Sequence, residues 1–469
     1  MDPLSRPISR RQLLRYTAGG ITAAGLGPLL AACGGGGGES AASQPAGTSV
    51  ATGGGGGGGG NLSMWWWGEQ EAVGVKKWMD DTIAKFKTDS GYTIKPLLMD
   101  TSNVIPQFTN AAAAGKPPDI QFIFNGIYHM ENVWHGYLEP LNGLVSDDVL
   151  AKSGATVLSN YEGKTYRAGF YIVGFGFLYN KDLFDKAGLN ADSPPKTWDE
   201  FLNACDKLKS SGVMPIGGGL KDGFTGEWYF TNTLTQALDS PKEALDLFIG
   251  NLDWREPKYH EHWIKLQELH DHGFINDDIN SLELYPGIQL TLTGKSAMSL
   301  DTTADLPNAE KQLGDKAGYF VMPVFGSGKM AGIPITDTQG FGIPTKGKDH
   351  PGAAKFLEYM HSQERVNAMW TLSKALPADE KFDASMIDDP FLKNVYETWW
   401  AGPHDVYVAD LMPTLFWTDA MFVISQKILA GTLTGEQSGD LAAQVTEKWK
   451  KQNPDLVENY TKWGKDLAV

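Results

Sequence analysis

The sequence predicts an α/β protein of more than one lobe, on three observations. Apolar runs of strand length alternate with apolar stripes at helical spacing. Gly, Pro and Asn mark the changes of period, and a folded part of roughly 400 residues exceeds a single hydrophobic core. Residues 62–67 read as a short apolar strand. Val75, Trp78, Met79, Ile83 and Phe86 then share one face of a helix, and residues 92–99 return as a strand, completing a βαβ unit. A second helix over residues 103–114 and a strand at 120–124 extend the pattern. Open α/β sheets bind ligands beyond their strand ends. The turns Trp67-Gly68-Glu69-Gln70, Met99-Asp100-Thr101-Ser102 and Phe124-Asn125-Gly126-Ile127 therefore hold the first candidates.

Further along, Phe177-Leu178-Tyr179-Asn180-Lys181-Asp182 ends another strand. After Pro194-Pro195, the run Thr197-Trp198-Asp199-Glu200 reads as a capping box, with the Thr197 hydroxyl and Glu200 carboxylate on orphan helix amides. The helix it opens carries the face Trp198, Phe201, Leu202, Cys205 and Leu208, so Cys205 reads as a core residue and not a reactive thiol. Gly294-Lys295-Ser296-Ala297-Met298-Ser299-Leu300 reads as a turn feeding a buried strand. Ala353, Phe356, Leu357 and Met360 form the stripe of a helix after Pro351.

The N-terminus has a different character. Ser9-Arg10-Arg11-Gln12-Leu13-Leu14 leads into an apolar run that stops at Leu30-Ala31-Ala32-Cys33, which resembles a twin-arginine lipoprotein signal over residues 1–32. Its implication is export, cleavage before Cys33, lipid on that thiol and attachment to the outer face of the cell membrane. The run is too short and too rich in glycine for a spanning helix, which needs about 20 apolar residues. Residues 33–61, with Gly34–Gly38 and Gly53–Gly60, cannot bury apolar surface and read as a flexible tether. Removing residues 1–32 takes away four arginines and one aspartate, so the formal charge moves from −16 to −19. An acidic body of this kind is a poor nucleic-acid binder. With Cys33 lipidated, Cys205 is the one thiol left and no intramolecular disulfide forms.

An ordered set of short segments then carries a resemblance. Met64-Trp65-Trp66-Trp67-Gly68, Pro117-Pro118-Asp119-Ile120 and Leu178-Tyr179-Asn180-Lys181-Asp182-Leu183-Phe184 are followed by Pro194-Pro195-Lys196-Thr197-Trp198-Asp199-Glu200-Phe201. Gly294-Lys295-Ser296-Ala297-Met298, Gly340-Phe341-Gly342-Ile343-Pro344, Ala353-Ala354-Lys355-Phe356-Leu357 and Leu376-Pro377-Ala378 complete it. In this order they resemble the family 1 extracellular solute-binding proteins of ATP-driven sugar importers, the group that includes maltose-binding protein.

The resemblance implies a two-lobed, type II periplasmic-binding-protein-like fold, each lobe a mixed sheet flanked by helices, with the ligand cleft between them. Residues 62–172 plus 338–388 would form lobe I, and 173–337 plus 389–469 lobe II. Crossings are expected near residues 171–176, near 337–343 and between 383 and 391. Gly174 and Gly176 fit either close strand packing or a hinge. The implied activity is capture of a sugar or short oligosaccharide and delivery to the permease subunits of an ABC importer. The implied protein is a monomer without cofactor, metal or catalytic residues.

A sugar needs rings to stack on its C–H faces and planar polar groups for its hydroxyls. The 15 tryptophans supply the rings. Trp67, Glu69, Asp100 and Asn125 are candidates at strand ends, though Asp100 reads equally as a helix N-cap. Gly226-Glu227-Trp228-Tyr229-Phe230 resembles the family segment that brings a carboxylate and a ring into the cleft, which nominates Glu227, Trp228 and Tyr229. Leu415-Phe416-Trp417-Thr418-Asp419 resembles the late segment whose tryptophan stacks on sugar, so Trp417 is the leading stacking residue. The chain departs from the maltose-binding branch twice. Val173 stands where that branch has an acidic residue, and Ser299-Leu300-Asp301-Thr302-Thr303 replaces an aromatic platform. Asp301 becomes a candidate hydroxyl acceptor or cap.

Catalytic motifs fail. A phosphate loop at Gly294-Lys295-Ser296 would need glycine at Gln289, and Gly174-Phe175-Gly176 lacks a third glycine at Tyr179. His260, His262, His270 and His272 fall on several helix faces. Two alternatives from other classes stand: a secreted glycoside-processing enzyme with paired carboxylates, and a binder of a polyamine or other small cation using the same rings with several carboxylates.

Overall fold

The first βαβ unit forms as its periodicity dictates. In the computed structural model, Asn61–Trp66 pairs in parallel with Thr93–Leu98 on one side and with Ile120–Ile123 on the other. The helix Val75–Ser90 between the first two strands buries Val75, Trp78, Met79 and Phe86. It ends at Gly91, whose φ of 77° lets its amide return to the Lys87 carbonyl before the chain re-enters the sheet. The next helix is Thr101–Ala113. The structure describes residues 59–123, 129–154 and 157–467. The signal, Cys33, most of the glycine tether and Asn125 lie outside them. The chain divides into two units, Met1–Gly55 and Gly56–Val469, and every described residue belongs to the second.

Two long strands organise that unit. Ala168–Asn180 and Ile335–Pro344 are buried along their whole length and lie antiparallel to each other in the middle of one ten-stranded sheet. On the far side of Ile335–Pro344 the sheet continues through Ile120–Ile123, Asn61–Trp66 and Thr93–Leu98. Beyond Ala168–Asn180 it continues through Ser296–Thr302 and Met214–Ile216. The two ends of Ala168–Asn180 have different partners. Its first half, to Phe175, pairs with Ile335–Pro344, and from Phe175 on it pairs with Ser296–Thr302 and Ala317–Phe320. The same strand thus belongs to two groups of strands, each covered by its own helices, and the sheets of the two lobes are hydrogen-bonded into one. Between residues 383 and 391 there is a helical turn, Ala384–Met386, and the start of the helix Pro390–Tyr396. The short strand that joins the long pair after that point is Asp405–Val406, against Ile335 and Thr336.

Gly174 and Gly176 sit in this centre for a packing reason. A Cβ on Gly174 would stand 2.4 Å from the Trp399 ring, and one on Gly176 would stand 2.6 Å from the Phe320 carbonyl oxygen.

The capping box is formed. Thr197 Oγ accepts from the Glu200 amide at 3.3 Å, and a Glu200 carboxylate oxygen accepts from the amides of Thr197 at 3.2 Å and Lys196 at 2.8 Å. Those bonds hold Glu200 below its usual carboxylate range. The helix Trp198–Ser210 buries Trp198, Phe201, Cys205 and Leu208, and burial pushes the Cys205 thiol well up. Thr197→Ala is expected to cost about 1 kcal/mol, read as a lower urea midpoint at unchanged slope.

Candidate functional site

Register defines the face on which the site is built. Residues directly opposite in a ladder share a face, as do alternate residues along one strand. Gln339 lies opposite Tyr171, Asp337 opposite Val173 and Ile335 opposite Phe175, while Thr302 faces Phe175 from the other neighbouring strand. These side chains form one floor at the junction of the two groups of strands.

Over the Tyr171 end sits Glu71, from the loop after Asn61–Trp66. The Tyr171 hydroxyl and Gln339 Nε2 donate to one of its carboxylate oxygens at 3.1 and 3.0 Å. It is 3 % exposed, and burial pushes its carboxyl up to about 7 against the pull of those bonds. Over the Phe175 end, Tyr407 stacks at 4.2 Å with 13° between planes, and Trp228 meets Phe175 edge-on at 5.8 Å. The Tyr407 hydroxyl donates to Glu227 Oε1 at 2.7 Å and Trp417 Nε1 donates to Oε2 at 2.5 Å. Burial pushes Glu227 up to about 7 as well.

Asp337, between these ends, is held by Arg167. One guanidinium nitrogen donates to both carboxylate oxygens, at 2.9 and 3.1 Å, and both side chains are fully buried. A carboxylate thus stands opposite Val173, and it is committed to Arg167. Asp410 lies against Asp337. Burial first, then the charge of Asp337 and a side-chain hydrogen bond with it, hold its carboxyl well above the usual range, against the pull of Arg167. Nearby, Asp301 Oδ1 accepts from the Thr302 amide at 2.8 Å. Burial and then Asp305 raise Asp301 well above its ordinary value, and Asp305 is itself pushed up to about 7 by burial.

Glu227, Trp228 and Trp417 are therefore brought together, whereas Asp301, opposite Gly176 and one residue before Thr302, is buried on the other face of the strand. Trp67 is buried against Phe122 at 5.3 Å. Tyr229 turns the other way: its hydroxyl reaches the His262 carbonyl at 3.4 Å, and its ring lines an apolar cavity with Phe177, Leu266 and Leu300. Successive helical residues diverge by about 100°, so adjacent Trp228 and Tyr229 serve different surroundings. Glu69 and Asp100 are not brought in. Glu69 is exposed and accepts from the Gly74 amide at 2.9 Å, at the start of the Val75–Ser90 helix. Asp100 is exposed at the N-cap position of the next helix and accepts from Asn103 Nδ2 at 2.7 Å.

The sequence reading passed over Glu71, Tyr171, Gln339, Tyr407, Asp410 and the Arg167–Asp337 pair. A signal existed for Glu71. It continues the buried stripe Val75, Trp78, Thr82 backwards by four residues, at helical spacing, which Glu69 does not. Among the described residues no three His, Cys, Asp or Glu side chains are placed to hold a metal ion, and no helix is long and apolar enough to cross a membrane.

Two groups of strands sharing a pair of long crossing strands, with side chains of both groups meeting over that pair, define the class of two-lobed solute-binding proteins, type II. The chain belongs to the family of bacterial extracellular solute-binding proteins, which it matches over residues 69–365, more than half its length. The family and its structural neighbours are binding proteins. The sn-glycerol-3-phosphate-binding periplasmic protein of Rhizobium meliloti is 27 % identical over 207 residues, covering 42 % of this chain and 46 % of the relative. The chain spans less than half the length of the curated relatives it matches first. Among solved structures, a chitin oligosaccharide binding protein superposes with a TM-score of 0.74 at 24 % identity, over 83 % of this chain and 99 % of the other. An ABC transporter solute-binding protein from Thermotoga lettingae bound with α-D-tagatose gives 0.67 at 19 % identity, over 83 % and 99 %. At these identities the likeness establishes the fold.

Proposed function

We propose that the protein is the substrate-binding component of an ABC importer, capturing a sugar or short oligosaccharide between its lobes and delivering it to the membrane permease. The observation that carries this reading is the floor of crossing strands, over which rings and carboxyls from both halves of the chain meet. Residues 62–172 plus 338–388 are assigned to lobe I and 173–337 plus 389–469 to lobe II. Trp67, Trp228 and Trp417 supply stacking faces, and Glu71 and Glu227 take hydroxyls, with Asn125 at the third strand end. The open form exposes two half-sites, the ligand bridges them, and closure presents a surface to the permease. Lipid on Cys33 and the tether at residues 33–61 keep the receptor near that permease and raise its effective concentration there. The solute-binding structures it resembles are complexes with sugars in the case of tagatose and are named for them in the case of chitin oligosaccharide.

A titration of tryptophan emission with mono- and oligosaccharides tests it. A saturable change with sugar recovered intact after long incubation is the expected result, and cleaved sugar overturns the binding-protein reading. Trp417→Ala should weaken the best sugar by more than tenfold, because a ring contact contributes about 0.5 to 1.5 kcal/mol beyond its burial and Glu227 loses a donor. Unchanged affinity in a variant with native circular dichroism removes Trp417 from the site.

A further inference from the structure

The helical turn that leads into Trp417 is capped from a distant part of the chain. Thr414–Phe416 follows Pro413, whose side chain has no acceptor for the free amides at the start of a turn. The Thr414 amide donates instead to Glu131 Oε1 at 3.1 Å, and the Thr414 hydroxyl donates to Oε2 at 3.0 Å. The amides of Phe416 and Trp417 return to the Pro413 carbonyl, so this cap fixes the start of the turn from which the Trp417 indole reaches Glu227. Glu131 lies on the short helix His129–Trp134, in the part of the chain assigned to lobe I, and Thr414 in the part assigned to lobe II.

Glu131 is itself held in place. The Tyr460 hydroxyl, on the last helix Pro454–Asp466, donates to its Oε1 at 3.2 Å. That helix returns to lobe I through Tyr460 and Trp463, both buried, whose rings meet Trp134 edge-on at 4.5 and 5.9 Å. Trp463 Nε1 donates to the Asn160 carbonyl at 2.9 Å, and the Glu162 amide donates to Asp466 at 2.8 Å. On its other side Tyr460 meets Trp449 edge-on at 5.7 Å. The three donors on the Glu131 carboxylate thus all come from the far end of the chain. Bonds of this charge-assisted kind are about twice as strong as neutral ones, and Glu131 and Thr414 are both half-buried.

We infer that Glu131 is a positioning residue of the sugar site: in the closed cleft it latches lobe I to the segment bearing Trp417, touching that segment and not the sugar. The inference rests on the sugar-capture reading and on the lobes assigned with it. Tyr460 keeps the carboxylate aimed at Thr414. The latch exists only while the lobes are together, so it slows the release of bound sugar and leaves capture by the open form unchanged.

Stopped-flow tryptophan fluorescence on the full chain tests this, with the tightest binder among glucose, galactose, D-tagatose, N-acetylglucosamine, maltotriose and N,N′-diacetylchitobiose. Glu131→Ala should raise the dissociation rate about tenfold or more, the size that loss of hydrogen bonds to a charged group predicts, and change the association rate less than threefold. Thr414→Val keeps the amide and loses the hydroxyl, and should raise the dissociation rate about threefold. The double variant should release sugar no faster than Glu131→Ala, because the Thr414 hydroxyl acts through that carboxylate. Effects that multiply in the double variant, or an association rate that falls as far as the dissociation rate rises, overturn the latch and leave sugar capture standing. If Glu131→Ala does not fold, Thr414→Val decides alone, and an unchanged dissociation rate overturns the latch. No sugar of the panel bound by the wild type overturns sugar capture and this inference with it.

Discussion

Arg167→Met is expected to destabilise the protein by about 3 to 5 kcal/mol, the cost of breaking a buried ion pair by removing one partner. Both members of the pair are fully buried, and Arg167 Nε also donates to Ser159 Oγ at 3.0 Å. Without the guanidinium, Asp337 keeps the Thr338 amide at 2.7 Å and faces Asp410 with no positive charge between them. The effect is large because of where the pair lies. It ties the residue just before Ala168–Asn180 to the first part of Ile335–Pro344, the two strands on which both groups of strands depend. The double variant Arg167→Met/Asp337→Leu should recover most of the loss, since replacing a buried pair by apolar groups of similar volume is often neutral. Urea midpoints of wild type, both single variants and the double variant decide it. A loss below 1 kcal/mol in Arg167→Met would show that the pair is not isolated from water.

Local elements were legible where one periodicity dominates. The stripe Val75, Trp78, Met79, Ile83 and Phe86 and the Thr197–Glu200 box are set by neighbours within one or two turns, and both form, with Ile83 only half-buried. The long strands were legible only as short pieces near residues 171–180 and 337–343. Each is buried on both faces, so the apolar–polar alternation that reveals a strand's facing is absent. Site residues divide in the same way. Glu227, Trp228 and Trp417 were nominated through resemblance of whole segments, and their side chains meet. Glu69 and Asp100 were chosen because they follow strands, yet residues just before a helix are equally placed to cap it, and local hydrogen bonds occupy both. Asp410 was out of reach, because its partner Asp337 is supplied by a strand more than seventy positions earlier in the chain.

From pH 6.5 to 8.5 the ligand-free protein is expected to lose stability on the order of 3 kcal/mol. Glu71 and Glu227 are pushed from 4.5, and Asp305 from 3.8, up to about 7 by burial. A carboxyl raised by folding binds more protons in the native state than in the unfolded one. Its contribution is therefore complete below its ordinary value and lost as pH rises through about 7. Over this window each such group accounts for about 1 kcal/mol, and Asp301 and Asp410, also raised well above their ordinary value by burial, act in the same direction. Below pH 6.5 a second group opposes them. Burial lowers His262 well below its ordinary value, so the folded state resists its protonation and stability is lost as pH falls through 6.5. Lowered carboxyls such as Asp383 and Asp388 are exposed and titrate at more acid pH, outside the window. Calorimetric melting at pH 6.5, 7.5 and 8.5 should show a fall of roughly 3 °C or more, reduced in Glu227→Gln. A melting temperature that stays level or rises across the window would mean that these carboxyls are hydrated and ionised in the native state.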